Sequence, residues 1–340
     1  MDPIALTRQL VDIESISGNE AGVGNFLIRE LTALGFEAVK MPAPFPADAK
    51  HGAAGERFNV YAHAPQQKPV LVFSTHMDTV PPFIASSEDG ERIYGRGSCD
   101  AKGIMAAQIA AAMRLRERGF PIGLLYVAGE ERDSLGAETA NRQAPGSRFL
   151  VNGEPTDNRL ALASKGSLRV ELTATGRMAH SAYPELGESA IDKLLDALQR
   201  LREMPLPVST DIGPSTLNIG IIEGGRAPNV IPDFARAQLQ YRLVGPSDQL
   251  RVQIQEAVRG LATANFVLEI PFVRLRTVDG MPTMVAKFTT DIPRLSNWGE
   301  PLLVGPGSIH VAHTDGEYIE KRELLEAVEL YERIARKLTG

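Results

Sequence analysis

Three features of the sequence predict an α/β protein whose mostly parallel sheet is covered by helices and interrupted by a smaller inserted domain. The chain has 340 residues, more than the roughly 100–200 of a usual single domain. From Pro3 to about Glu154, apolar strand-like runs alternate with helix-period stretches, the pattern of helices packed on a parallel sheet. After Ala163 the texture changes to the order β-α-β-β-α-β, which predicts a ferredoxin-like insert. The expected boundaries are 1–163 with 277–340 for the outer domain and 164–276 for the insert.

In chain order, Asn19 to Leu34 reads as a helix with Gly35 just past its end, followed by the strand Phe36 to Val39. Phe58 to Ala64 and Pro69 to Thr75 are strands, and an alanine-rich helix runs from Lys102 to Arg118 before Gly119. Its alanines imply tight packing on a sheet. Gly123 to Ala128 and Arg148 to Asn152 are further buried strands. In the insert, strands are expected at Ser167–Thr175, Thr216–Ile222, Ala235–Leu243 and Phe266–Leu275, with helices at Glu188–Met204 and Asp248–Thr263. The antiparallel sheet leaves an edge or face free for a partner. A helix near Thr283–Leu295, a strand Pro301–Val304 and a final helix Lys321–Leu338 complete the outer domain.

Composition removes several function classes. Lys and Arg total 36 against 42 Asp and Glu, a net charge of −6, so there is no basic footprint for nucleic acid or for an anionic membrane surface. The single cysteine, Cys99, permits no internal disulfide framework, and its expected role is small-residue packing. The first residues lack the basic-then-apolar layout of a secretory signal, and no apolar run is long enough to span a bilayer. The expected location is the cytoplasm.

The chemistry concentrates in histidines and acids. His51 and His63 stand in a loop and a strand without acidic neighbours in sequence and read as ordinary structural residues. His76 closes the strand VLVFST and is followed by Met77 and Asp78; a carboxylate there can fix the tautomer of a metal-ligating imidazole. Asp100 closes GRGSCD, Glu130 and Glu131 close GLLYVA, and Glu154 closes RFLVNG. Strand carboxyl ends form the rim where open α/β sheets build sites, so one histidine and four acids converge. Acids so close would repel one another unless a cation neutralised them. GPGSIHVAHTDGE, after the last strand, can bring a second histidine, His310 or His313. A His/Asp/Glu set without cysteine suits zinc or a similar divalent ion in an open, catalytic arrangement.

With STHMDTVP, YGRGSCDAKG, AGEERDSLGA, NGEPT, GRMAHSAYPELGESAI, GGRAPNVIPD, QYRL and GPGSIHVAHTDGEYIE in order, the chain resembles the di-zinc aminoacylase and carboxypeptidase family. That family includes acetylornithine deacetylase, succinyl-diaminopimelate desuccinylase and carboxypeptidase G. The resemblance implies a zinc-peptidase-like catalytic domain with an inserted lid and dimerisation domain, and two divalent ions, with cobalt or manganese as alternatives to zinc. It makes His76 and Glu154 terminal ligands of one ion, Asp100 the bridge, and Glu131 and His313 terminal ligands of the other. Asp78 would orient His76, and Glu130 would be the general base. His313 is preferred to His310 because only it has the family's glutamate four residues on, Glu317. Three carboxylates against two dications leave about +1, which would acidify a water between them.

In the insert, His180 matches a histidine that reaches across a dimer to the oxyanion, though it also reads as a turn residue. Arg242 matches the arginine that binds a substrate carboxylate, though it could pair within the sheet; Asn229 and Gly307 match substrate-pocket positions. A homodimer through the lid and a small N-acyl amino acid substrate follow from the resemblance. SKG, STLNIG, GPGSI and EYIE lie nearest to acetylornithine deacetylase. Ser164 and Lys165 stand before Gly166 where desuccinylases carry paired arginines, which points to acetyl rather than succinyl. The alternatives are a desuccinylase, a dipeptidase or carboxypeptidase of the same family, or a non-catalytic relative; the last would lack ligands or Glu130, and all are present.

Overall fold

The computed structural model describes residues 1–46 and 55–339, which leaves His51 outside. Its contacts divide the chain into one unit of residues 1–162, 275–284 and 290–340 and a second of 163–274 with 285–289. Residues 285–289, expected in the outer domain, thus cluster with the insert.

The first unit is built on a six-stranded sheet in the order Glu37–Pro42, Phe58–His63, Ile122–Val127, Leu71–His76, Phe149–Asn152, Glu300–Leu303. The last four run parallel, and the first two are antiparallel additions at one edge. Leu71–His76 is buried along its whole length because it is paired on both sides and covered on both faces. On one face lies the Lys102–Glu117 helix, whose Ala106, Ala107, Ala110, Ala111 and Ala112 are all buried in the core that includes Phe73 and Tyr331. Small side chains on every side let this helix approach both the sheet and the Lys321–Thr339 helix. On the other face Val72, Leu125 and Leu150 pack with Ala137, Ala140 and Trp298.

The second unit has the antiparallel order Thr216–Gly224, Phe234–Leu243, Gly166–Thr175, Thr263–Ile270, the ferredoxin-like arrangement its element order predicts. Ala190–Glu203 and Asp248–Ala257 are its helices, and Leu194, Leu198 and Ile254 share a core with Leu168, Val170 and Tyr241. Ser189 caps the first helix by accepting from the Asp192 amide.

Three expected elements differ. The strand expected at Phe266–Leu275 runs Thr263–Ile270, and beyond Pro271 the pair Val273–Arg274 joins a different sheet. The helix near Thr283–Leu295 is a strand, Thr283–Ala286, followed by a short 3-10 turn, Ile292–Arg294. Pro293 cannot donate inside a helix, and the β-branched Thr283 and Val285 favour pairing, here with Leu160–Ser164. The Asp248 helix ends at Ala257 rather than Thr263, where Gly260 at φ 77° turns the chain into a strand.

Candidate active site

In the first unit five of the expected acids and histidines are gathered into two trios, although Asp100 does not close a strand of the main sheet but lies six residues beyond Arg92–Tyr94, in a smaller sheet. His76, Asp100 and Glu154 form one, and Asp100, Glu131 and His313 the other; within each, one donor atom per residue lies within 4.8 Å of the others. The two oxygens of Asp100 divide between them: Oδ1 is 3.0 Å from His76 Nε2, and Oδ2 is 3.4 Å from His313 Nε2. His313 Nε2 is also 2.8 Å from Glu131 Oε1. His313, not His310, is therefore the histidine in the cluster. The first trio is buried throughout, whereas the His313 side chain is 47% exposed.

The fit to metal rests on the donor chemistry. Ligand bonds of about 2.0–2.2 Å to a four-coordinate ion place donors a little over 3 Å apart, comparable with the 2.8–3.4 Å that separate the histidine and carboxylate atoms here. The electrostatics agree. Burial, and then the charge of Glu154 and Asp291, pushes Glu130 well above the usual carboxylate range. Glu154 is raised as well, by burial against the pull of His76 and with the repulsion of Asp100 and Glu131. Hydrogen bonds that its ring donates to Asp100 and Glu131 raise His313 to about 10. His76 is raised despite burial, through its bond with Asp100. Cations at the two trios would relieve the crowding of buried carboxylates that raises these groups.

Asp78 acts differently from the expected orientation of His76 by its carboxylate. His76 Nδ1 donates to the Asp78 main-chain carbonyl at 2.9 Å, while the carboxylate is 3.7 Å away. The carboxylate instead accepts three consecutive amides: Gly129 and Glu130 on Oδ1 at 3.0 and 3.1 Å, and Glu131 on Oδ2 at 3.2 Å. Ser17 Oγ donates to Oδ2 at 2.6 Å. Asp78 therefore fixes the turn that carries both Glu130 and Glu131. A second support lies behind it, where Arg57, 4% exposed, pairs with Glu20 and Asp133, and Asp133 caps the Leu135 amide.

Several of these partners have no signal in the sequence. Glu20, Arg57 and Asp133 are far apart along the chain. Asp291 lies in the segment expected to be helix; it is buried, and burial raises it to about 7. His63, read as lacking an acidic neighbour, faces Glu37 across the edge strands at 3.7 Å. Gly307 has φ 83°, and a side chain there would meet Cys99 Sγ at 2.6 Å, so the close approach of these two loops needs glycine. Burial raises the Cys99 thiol, which fits a packing role.

In the second unit, the two-residue ladder of Ala179–His180 with Val230–Ile231 brings His180 and Asn229 together, and the Ser181 amide donates to the Asn229 carbonyl at 3.1 Å. His180 Nδ1 accepts from the Ala182 amide at 3.1 Å, which leaves the proton on Nε2, free to donate outward. Arg242 stands between Thr216 and Ser167 on the sheet. Burial alone lowers it, because no carboxylate among the described residues pairs with it. A half-buried, unpaired guanidinium is suited to a ligand carboxylate.

A family model described as a peptidase dimerisation domain matches residues 162–266. Over 97% of its length the chain is 39% identical to a probable carboxypeptidase of Aspergillus terreus, 85% of which is covered. It is 36% identical, again over 97% of its length and 83% of the relative, to a peptidase M20 domain-containing protein of Schizosaccharomyces pombe. The chain belongs to the M20 peptidase family. It is accordingly a hydrolase of the metallopeptidase class, and M20 structures share its whole fold. An aminopeptidase, PepT, of Bacillus cereus superposes with a TM-score of 0.82 at 21% identity, covering 100% of this chain and 98% of that one. A protein of Bacillus subtilis described as a dinuclear metal-binding M20 peptidase gives 0.69 at 16% identity, covering 98% and 96%. Among the described residues no helix is long and apolar enough to cross a membrane.

Proposed function

We propose that the protein hydrolyses the amide bond joining an acyl group to the α-nitrogen of an amino acid, with two zinc ions as cofactors. The observation that carries this reading is the pair of trios sharing Asp100 with Glu130 beside them. His76, Asp100 and Glu154 would hold one ion, and Asp100, Glu131 and His313 the other. When bound, the ions polarise the scissile carbonyl and lower the pKa of water at the site. Glu130 orients the attacking water and takes its proton as the new C–O bond forms. It then delivers that proton to the nitrogen as the C–N bond breaks, so the products are a carboxylate and a free amine. Glu130 suits this task because it stands beside the trios without belonging to either, so it is not engaged as a ligand.

Arg242 takes the substrate's α-carboxylate, Asn229 and Gly307 are substrate-binding residues, and the His180 Nε2–H donates to the developing oxyanion. The protein works as a homodimer through the 162–266 region, with His180 of one protomer serving the metal site of its partner. The finer substrate is a small N-acyl amino acid of the N-acetyl-ornithine kind. Lys165 presents a point charge rather than a bidentate fork, and its Nζ is already engaged with the Pro214 carbonyl at 2.6 Å. Removal of a carboxy-terminal residue from a peptide is the second reading, favoured by the name of the Aspergillus relative. A kinetic panel of N-acetyl-ornithine, N-succinyl-diaminopimelate and dipeptides, run with zinc added back, separates them. Greater kcat/KM on the N-acetyl substrate supports the first reading, greater kcat/KM on dipeptides the second, and hydrolysis of none refutes both.

A further inference from the structure

Glu317 is 1% exposed and Arg96 2% exposed, yet neither belongs to the trios. Glu317 Oε1 accepts three amides of the turn that ends in the shared ligand: Gly97 at 2.9 Å, Cys99 at 3.1 Å and Asp100 at 3.1 Å. Its Oε2 accepts from Arg96 Nη1 at 2.6 Å. The same Arg96 nitrogen donates to the carbonyl of Thr314 at 3.1 Å, the residue after His313. One buried ion pair thus ties the Asp100 turn to the loop that carries His313.

That loop needs an external hold. His313 has φ 64°, a left-handed conformation that a histidine keeps only when its surroundings impose it, and its side chain is 47% exposed. Packing therefore does little to place it. The first trio is supported otherwise: His76 ends a strand paired on both sides and donates to the Asp78 carbonyl, and Glu154 follows the parallel strand Phe149–Asn152. Two of three donors in the second trio depend on the Arg96–Glu317 pair, against one of three in the first.

We propose that Glu317, with Arg96, is a positioning residue that assembles the second metal site, and that its loss weakens that site while sparing the first. The proposal rests on the two-metal reading above. In Glu317→Gln the amide oxygen can still accept from the turn, but its NH2 meets the Arg96 guanidinium, donor against donor.

The test is a calorimetric titration of full-length apoprotein with Co²⁺, followed in parallel by visible absorption, with circular dichroism to confirm folding. Wild type should take two ions. Glu317→Gln should bind the first nearly as wild type and the second about 10–100-fold more weakly, the usual cost of removing an outer partner of a ligand. Should that variant not fold, Glu317→Asp keeps the charge but is too short to span the amides and Arg96, and the same selective loss is expected. Native affinity at both sites in a folded variant overturns the proposal, as does equal weakening of both, which would mark a general structural role. Wild type binding fewer than two ions overturns the two-metal reading instead.

Discussion

Replacing Asp78 by asparagine tests whether its carboxylate acts on the Glu130–Glu131 turn or on the His76 ring. The change is isosteric at a residue with 0% exposure, so packing is preserved and only hydrogen bonding alters. Asparagine has one acceptor oxygen. Placed at Oδ1 it keeps the Gly129 and Glu130 amides; placed at Oδ2 it would strand both. The first orientation therefore wins, and the NH2 faces the Glu131 amide and Ser17 Oγ. The Ser17 hydroxyl can rotate to accept, but the Glu131 amide cannot. One stranded donor, partly buried, costs about 1–3 kcal/mol, to be read from urea unfolding of the apoprotein. Because the donor belongs to a ligand of the second trio, that site should weaken by about 10–100-fold. Binding at the His76 trio should change little, since the ring donates to the main-chain carbonyl. Unchanged stability with weakening confined to the His76 site would refute the reasoning and return Asp78 to the role of orienting the imidazole.

Two further outcomes are expected. His313 at about 10 lies above the ordinary histidine near 6.5, so its contribution to the apoprotein is fully present below about 6.5 and lost as pH rises toward 10; raised Glu154 and Glu130 act in the same direction. The apoprotein's melting temperature should fall across that window while the zinc-loaded protein's holds, and a rising apoprotein profile in calorimetry would contradict this. If His180 acts across a dimer, mixing inactive His180→Ala with inactive Glu130→Gln should restore about a quarter of wild-type activity. Half the dimers would be hybrid, each with one complete site; no recovery after proven subunit exchange would refute it.

What could be read from the sequence follows from geometry that parallel sheets impose. His76 and Glu154 were visible because a parallel sheet delivers every strand's carboxyl end to one rim, and each stands at or just beyond such an end. The insert's order was visible because its strands alternate cleanly, as in Phe234–Leu243. The 283–295 segment misleads because short-range helix spacing there is outweighed by Pro293 and by pairing with a strand more than a hundred residues earlier. The Pro3–Val11 helix and the two- and three-residue strands at 87–94 and 318–320 are too short to show periodicity. Least legible are the supports: nothing in a linear pattern says that Asp78 reaches the amides of 129–131, or that Arg57 joins Glu20 to Asp133. Such bonds to backbone depend on where loops meet, not on which residues are neighbours in sequence.

The claim that Glu130 moves the proton while the two trios hold the metals is tested most directly by Glu130→Gln, assayed for metal content and turnover in the same preparation. Glu130 stands in neither trio, and glutamine preserves its size, so the variant should retain two ions per chain. Turnover should fall by at least the general-base share of about 10²–10⁴-fold. Two bound ions with near-normal turnover would contradict the account.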